Sequence, residues 1–204
     1  MQVMFWWSHD IGGHRSTVDA EAPRGHTDAA YDPQLYLRWL QWGAHSPILR
    51  THPQPDPAVE RRPWGYALPY SEYMRNAFAR RARLVPSIYT ALQRFEETGV
   101  SALHPIYYEA PDEQGAYLYN DTYIFCSFLV VAPVTAPIDA ATQLAQRSLW
   151  LPEGKWVDTV SGTEVVSGER GTFLTHNYTL WETPVFARAG SMLPLAPPPG
   201  AYCL

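Results

Sequence analysis

The feature that most constrains the fold is the small number of strand-like stretches in the first hundred residues. Val3 to Trp7 is an apolar, aromatic run that leads into a glycine loop, and Pro47 to Arg50 is a second short apolar run. Both patterns predict buried strands followed by helices. A parallel sheet needs cover on both faces, and a (β/α)8 barrel takes about 250 residues, so two strands and two helices cannot close a fold. We therefore expect this half to pair with another polypeptide or to be part of a larger barrel.

Helix signals follow both predicted strands. Asp32 and Pro33 predict an N-cap and a first helical turn, and Gly43 predicts the end of that helix. A second helical pattern ends at Gly99, a suitable residue just beyond a helix C-terminus. Pro86 lies inside this pattern and is expected to divide it into two helical segments.

The character of the chain changes after residue 99. Short β-rich runs separated by turn sequences follow, namely Leu103 to Glu109, Phe128 to Pro133, Arg147 to Leu151, Trp156 to Val160, Thr163 to Val166 and Val185 to Ala187. The sequence therefore predicts a boundary near residue 100, with β/α pieces before it and an all-β module after it. The fold class is α/β plus all-β.

Composition excludes several function classes. The 204 residues carry 15 Lys and Arg against 20 Asp and Glu, a formal charge of −5, so we expect no nucleic-acid partner. Apolar stretches reach only about half of the ~20 residues that span a bilayer, so we expect no membrane partner. No signal peptide is recognisable, and a cytoplasmic location follows if synthesis starts at Met1. Only Cys126 and Cys203 are present, which excludes a disulfide framework and a thiolate zinc site.

Two loops that follow the predicted strands contain residues suited to chemistry. They run from His9 to His14 and from Arg50 to His52, with several tryptophans nearby in sequence. Carboxylate, imidazole and indole groups suit a sugar, because hydroxyls need charged hydrogen-bond partners and C–H faces need an aromatic surface. An Asp before Gly-Gly is equally often a turn former, and spacing alone leaves that alternative open. No histidine spacing matches a zinc motif, so we expect no metal. No G-x-S-x-G elbow is present, which argues against a Ser/His/Asp triad. No glycine-rich loop has the spacing that cradles phosphates, and we expect no cofactor.

Eight motifs occur in one order over nearly the whole chain. They are FWWSHDIGGH at Phe5 to His14, LYLRWLQWGAHSPILRTH at Leu35 to His52, RRPWGY at Arg61 to Tyr66, RARLVPSIYT at Arg81 to Thr90, IYYEAPDE at Ile106 to Glu113, FLVVAPVTAP at Phe128 to Pro137, WLPEGKWVD at Trp150 to Asp158 and PVFARAGSMLPL at Pro184 to Leu195. Together they resemble glycoside hydrolase family 31, which includes α-glucosidases and α-xylosidases. One departure is that Cys126 and Ser127 follow Phe125 where a glycine is common in the family.

The resemblance implies the C-terminal part of a (β/α)8 TIM barrel at residues 1–100, a proximal β-sandwich-like domain at 101–195 and a tail at 196–204. It also implies retaining hydrolysis of an α-glucoside or α-xyloside by two aspartates. In the family both aspartates precede the WSHDIGG segment, so no residue of this chain is expected to be catalytic. We expect the isolated chain to be inactive.

Substrate-binding residues can still be carried over from the family. Asp10 matches the aspartate of its DIGG motif, and His52 matches the histidine that hydrogen-bonds the sugar at the cleavage subsite. His14 stands where many members have an aromatic residue lining that subsite. The expected partners are the carbohydrate and either the missing N-terminal half of the barrel or a second copy of the chain.

A second reading is a non-catalytic carbohydrate-binding or structural module in which the β domain is the working part. Its candidate aromatic residues are Tyr107, Tyr108, Trp150, Trp156 and Phe186. Most of them lie in predicted strands, which favours core packing over a surface platform for sugars. An in-frame segment with the two aspartates in the genomic sequence upstream of Met1 would favour the glycosidase over the non-catalytic module.

Overall fold

The computed structural model describes residues 6–13, 32–53 and 61–198. The helices are α1 (Pro33–Gly43), α2 (Tyr70–Thr98) and α3 (Gly115–Leu118), with 3₁₀ turns at Pro63–Gly65 and Ile106–Tyr108. The strands are β1 (Leu103–Pro105), β2 (Tyr123–Phe125), β3 (Leu129–Val131), β4 (Ala145–Leu151), β5 (Gly154–Asp158), β6 (Glu164–Ser167), β7 (Thr172–Tyr178) and β8 (Val185–Arg188). None of the described helices is long and apolar enough to cross a bilayer.

Two extended segments precede the long helices and lie side by side. The Ile48 amide donates to the Trp7 carbonyl and the Ile11 amide donates to the Arg50 carbonyl, both at 3.2 Å. Ile11 and Thr51 form a parallel bridge. Among the described residues, each segment pairs only with the other. This is the arrangement of two neighbouring β/α units.

The first segment continues further than the sequence predicts. The predicted strand ends at Trp7, but the pairing reaches Ile11 because Gly12 is the first described residue with a left-handed φ, at 90°. The start of the predicted strand, Val3 to Phe5, lies outside the described residues.

Helix α1 begins and ends as the sequence predicts. The Asp32 side chain accepts a hydrogen bond from the Gln34 amide at 2.8 Å, Pro33 occupies the first turn, and the helix ends at Gly43. One face of α1 is buried against the first extended segment and the start of α2. The buried core there comprises Ile11, Tyr36, Leu37, Leu40, Met74 and Ala77.

Helix α2 is one continuous helix, so the prediction that Pro86 divides it is wrong. A proline inside a helix removes one hydrogen bond and clashes with the preceding turn, at a cost of about 3 kcal/mol. Burial on both sides of Pro86 outweighs that cost. Met74 and Ala77 pack against α1, and Leu84, Ile88 and Ala91 pack against the β domain.

The β domain has a six-stranded antiparallel sheet in the order β1-β2-β3-β8-β5-β6, and a separate antiparallel pair, β4-β7. Alternating side chains of the larger sheet face opposite layers. Tyr123, Phe125 and Val131 pack in the cluster that contains α2 residues, whereas Ile124 and Val130 pack in the cluster that contains β4. The sheet therefore lies between α2 and the β4-β7 pair.

The strand predictions for this half need several corrections. The strand predicted from Leu103 to Glu109 ends at Pro105, because a 3₁₀ turn follows. The sequence pattern does not predict β2 or β7. Strand β7 gives no alternating apolar signal, since most of its side chains are exposed or half-buried. Within the part of the chain that the structure describes, it pairs only with β4.

Candidate functional site

The first extended segment places Asp10 on the face that points away from the helices. The ring of His9 stacks on Trp42 of α1 with centroids 4.0 Å apart, and Ile11 is fully buried in the core with α1. Because successive side chains of an extended chain point to opposite faces, Asp10 points to the other side.

The second segment brings a guanidinium to the same face. Leu49 packs against the helix-side core, so the same alternation places Arg50 and His52 on the face of Asp10. Arg50 Nη2 donates to Asp10 Oδ1 in an ion pair. His52 follows directly and is exposed. An ion pair as exposed as this contributes at most about 1 kcal/mol to stability, so its main effect is to orient the carboxylate.

The loop after Asp10 is held by a buried arginine. Gly12 and Gly13 have φ values of 90° and 87°, a backbone conformation that a side chain would disfavour. The Gly13 amide donates to the Asp10 carbonyl at 2.7 Å. Arg61 Nη2 donates to the carbonyls of Gly12 and Gly13 at 2.9 and 2.6 Å, and the Tyr36 hydroxyl donates to the Arg61 carbonyl at 2.7 Å. Arg61 therefore fixes the turn from which Asp10 projects.

His9 is a framework residue behind this face. Trp39 Nε1 donates to His9 Nδ1 at 2.6 Å, so the ring proton of the neutral imidazole lies on Nε2. Burial lowers the pKa of His9 to about 4; Asp10 opposes this change and Arg50 adds to it. Nε2 is buried and has no hydrogen-bond partner among the described residues. His9 is thus neutral at pH 7 and faces the helices.

The structure brings two of the three predicted site residues to one face. Asp10 and His52 lie at the C-terminal ends of neighbouring parallel segments, while His14 lies outside the described residues. Arg50 and Arg61 both lie in motifs of the sequence, but no sequence pattern assigns either of them a role. Side chains alternate between two faces along an extended segment, and Arg50 lies two positions before His52, so this alternation could have predicted that both lie on one face. No local signal in the sequence indicates the contacts of Arg61.

The described residues show no other reactive cluster. No group of three or more His, Cys, Asp or Glu side chains among them converges on a point where a metal could bind. Cys126 is buried, and burial raises its pKa to about 12, so it is not a nucleophile at neutral pH.

A large apolar groove lies on the helix side of the first segment, behind Asp10. Its volume is about 860 Å³. The barrel half contributes Trp7, Leu35, Trp39 and Trp42, and the β domain contributes Tyr123, Pro133, Val134 and Pro137. The centroids of the Trp7 and Trp42 rings are 5.5 Å apart, which places Trp7 on this side and not on the face of Asp10.

Comparisons with known proteins agree on one family. Residues 1–91 match the glycosyl hydrolases family 31 TIM-barrel domain, and residues 99–193 match the glycosyl hydrolase family 31 C-terminal domain. The chain is 27% identical to an alpha-xylosidase of Saccharolobus solfataricus over 191 residues, which are 93% of this chain and 24% of that protein.

Solved structures show the same relationship. A family 31 alpha-xylosidase from a soil metagenome, solved with xylose, matches with a TM-score of 0.74 and 27% identity over 93% of this chain and 28% of that one. A family 31 dextranase of Flavobacterium johnsoniae, solved with isomaltotriose, matches with a TM-score of 0.69 and 26% identity over 81% of this chain and 19% of that one.

The predicted fold class, part of a (β/α)8 barrel followed by a β-sandwich-like domain, is confirmed by these matches. The chain spans about a quarter of the length of the alpha-xylosidase of Saccharolobus solfataricus, 24%. Both halves match successive domains of one enzyme family. The chain belongs to glycoside hydrolase family 31.

Proposed function

We propose that this chain supplies part of the sugar subsite and the adjoining β domain of a retaining α-glycoside hydrolase. Asp10, His52 and His14 bind the substrate, and neither catalytic aspartate belongs to the chain. The observation that supports this most is the Asp10–Arg50 ion pair beside His52, at the ends of two neighbouring parallel segments. Barrel enzymes form their active sites at the C-terminal ends of the strands.

The chemistry assigns binding and orientation to these residues. Retaining hydrolysis needs two carboxyl groups about 5 Å apart, one as nucleophile and one as acid and base. The Asp10 carboxylate is directed by Arg50, an arrangement suited to accepting hydrogen bonds from sugar hydroxyls. The imidazole of His52 adds a donor or acceptor at the same end. In the family pattern the two catalytic aspartates precede this segment.

We propose the domain organisation that the sequence predicts. Residues 1–100 are the barrel part, residues 101–195 the proximal β domain and residues 196–204 a tail. The apolar groove receives the neighbouring β/α units of the barrel, supplied by the rest of a longer polypeptide or by a separate chain. Two features support this occupant: the groove borders the first extended segment, which among the described residues pairs only with the second one, and the alpha-xylosidase of Saccharolobus solfataricus is about four times longer than this chain.

The proposed function is tested by joining this chain to the preceding barrel segment of a family relative. Kinetics on nitrophenyl α-glycosides then compare Asp10→Asn and His52→Ala with His176→Ala, an exposed histidine of β7. Losing a sugar hydrogen bond that strengthens in the transition state lowers kcat/KM on the order of 10²-fold. We expect that loss in the first two variants and none in the control. Complete rescue of His52→Ala by azide or by a better leaving group would contradict a binding role.

One observation favours the second candidate, a carbohydrate-binding β module. Tyr107 and Tyr117 are exposed and stack face to face with centroids 5.1 Å apart, and Tyr107 lies in a 3₁₀ turn, not in a strand. Trp150 and Trp156 are buried, as core packing requires. If this module is the working part, Tyr107→Ala removes oligosaccharide binding by the chain while Asp10→Asn leaves it unchanged.

A further inference from the structure

A second cavity lies where α1 and α2 meet the loop between β7 and β8. Its volume is about 240 Å³, smaller than the cavities of roughly 300–1,000 Å³ that hold drug-sized ligands. Its walls include Gln41 of α1, Tyr73 and Arg80 of α2, and Trp181 of the loop. None of the residues on the Asp10 face lines it, so it is separate from the candidate sugar subsite.

Arg80 carries a positive charge into this cavity without an anionic partner. It makes no hydrogen bond or ion pair within residues 6–13, 32–53 and 61–198, and burial lowers its pKa. The neighbouring arginines Arg38 and Arg81, in contrast, have interaction partners. The effect of burial on the pKa of Arg38 is opposed by Glu182, and the Arg81 guanidinium donates to the Pro47 carbonyl at 2.5 Å. Among the arginines that the structure describes at this junction, Arg80 is therefore the one that remains available to a ligand.

The surrounding loop is held by hydrogen bonds and does not neutralise this charge. Glu182 accepts hydrogen bonds from the amide and hydroxyl of Thr179 at 2.7 and 2.8 Å, which turns its carboxylate back onto its own loop. Gln41 Nε2 donates to the Leu180 carbonyl at 2.9 Å and fixes the loop to α1. No carboxylate of the described part of the chain lines the cavity. His45 also lines it and is neutral at pH 7, because its pKa lies at about 4.

The remaining wall residues suit a sugar ring. Trp181 is about half exposed, 49%, so its ring is reached from solvent, and Tyr73 adds a second aromatic side chain. Aromatic faces pack against apolar C–H surfaces, and the Asn76 amide and Thr183 hydroxyl offer donors and acceptors to hydroxyl groups. A guanidinium binds carboxylates and phosphates in a fork geometry.

We propose that this cavity binds a small sugar that carries a carboxylate or phosphate group, with the anionic group on Arg80 and the ring against Trp181. The site is independent of the proposed glycosidase subsite. The chain has a formal charge of −5, so general attraction does not bring an anion to it, and a local cationic site is required.

Calorimetric titration of the full 204-residue chain tests the proposal. Glucuronate carries a carboxylate and glucose 6-phosphate carries a phosphate, so these two ligands show which anionic group the cavity prefers. Glucose tests the sugar without an anionic group, and inorganic phosphate tests an anionic group without a sugar. We expect saturable binding of at least one acidic sugar and at least tenfold weaker binding of glucose and of phosphate. Arg80→Gln should weaken binding at least tenfold and Arg80→Lys less, while Arg75→Gln, at an exposed position of the same helix, should leave it unchanged.

Trp181→Ala provides a second variant at a partly exposed position, in case Arg80→Gln does not fold. It should abolish the preference for an acidic sugar over inorganic phosphate. Absence of saturable binding of both acidic sugars overturns the proposal, as does unchanged binding by a folded Arg80→Gln variant. Inorganic phosphate binding as tightly as glucose 6-phosphate overturns the assignment of a sugar.

Discussion

The turn between β2 and β3 contains two side-chain residues in a conformation that usually belongs to glycine. Cys126 and Ser127 have φ values of 50° and 68°. This conformation costs an ordinary residue roughly 1–2 kcal/mol. These are the positions where the sequence departs from the glycine that is common in the family.

Replacing Ser127 with glycine should stabilise the protein. We expect Ser127→Gly to raise the free energy of unfolding by about 0.5–1 kcal/mol, because relief of backbone strain exceeds the entropy that glycine loses on folding. Gly99→Ala is the matched control and should lower the free energy of unfolding, since Gly99 has a φ of 72° and open space around it. Urea unfolding followed by circular dichroism measures both. A lower free energy of unfolding of Ser127→Gly would show that the backbone at Ser127 is not strained.

A buried histidine should make stability depend on pH. Burial, helped by Arg80 and Arg81, lowers the pKa of His45 to about 4, although its contact with the Gln41 carbonyl opposes this. The unfolded chain, with a pKa near 6.5, therefore binds a proton at a pH where the folded protein does not. Stability is complete above about pH 6.5 and falls by up to about 3 kcal/mol as the pH approaches 4.

Unfolding titrations between pH 7 and 4 measure this dependence. His45→Gln should flatten the slope of stability against pH in that window, and the exposed-site control His176→Gln should not. The same slope in wild type and His45→Gln would show that other groups cause the dependence.

At the residue scale, the sequence predicts the site only where local periodicity determines it. Asp10 and His52 each lie at the C-terminal end of an extended segment, so their common edge was predictable. The ion pair of Asp10 with Arg50 agrees with the alternation of side chains along the second segment. The contacts of Arg61 with the glycine loop depend on the path of the chain across some fifty residues, which periodicity does not contain.

At the element scale, Pro86 shows how packing overrides a local signal. The proline removes an N–H inside α2, and the helix continues because its two ends are packed against different cores. Pro86→Ala should restore the hydrogen bond to the Ala82 carbonyl and raise the free energy of unfolding by about 1–3 kcal/mol. Val85→Ala, at an exposed neighbouring position, should change it by less than about 0.5 kcal/mol. An unchanged or lowered stability of Pro86→Ala would show that the proline fits this helix without strain.

Elements with local signals were the predictable ones. The cap at Asp32 and Pro33 located the start of α1, and Gly99 located the end of α2. Strand β7 was not predictable, because its partner β4 supplies the hydrogen bonds while most of its own side chains remain solvated. Short strand β2 was missed since three residues are too few for an alternating pattern.

At the scale of the whole molecule, α2 belongs to both halves. Leu84, Ile88 and Ala91 cover the larger sheet, and the Tyr123 hydroxyl of β2 donates to the His45 carbonyl at 3.0 Å. A fragment that starts near Ser101 would expose this sheet face. We expect a fragment that starts at Tyr70 to unfold at a temperature several degrees higher, because it keeps the buried helical cover.

Thermal unfolding and size-exclusion chromatography of the two fragments compare them directly. The longer fragment should be the more stable and the more monomeric. Equal melting temperatures and equal monomer content would mean that the β domain is complete from residue 101 and that α2 does not stabilise it.

The most direct test of the account is a glycosidase assay of the purified 204-residue chain. Nitrophenyl α-glucoside and nitrophenyl α-xyloside are incubated with the chain, and product release is compared with buffer and with Asp10→Asn. Because one oriented carboxylate cannot perform a double displacement, the account predicts no release above buffer from either substrate. Turnover that survives repurification and disappears in Asp10→Asn would show that the chain contains its own catalytic carboxylates.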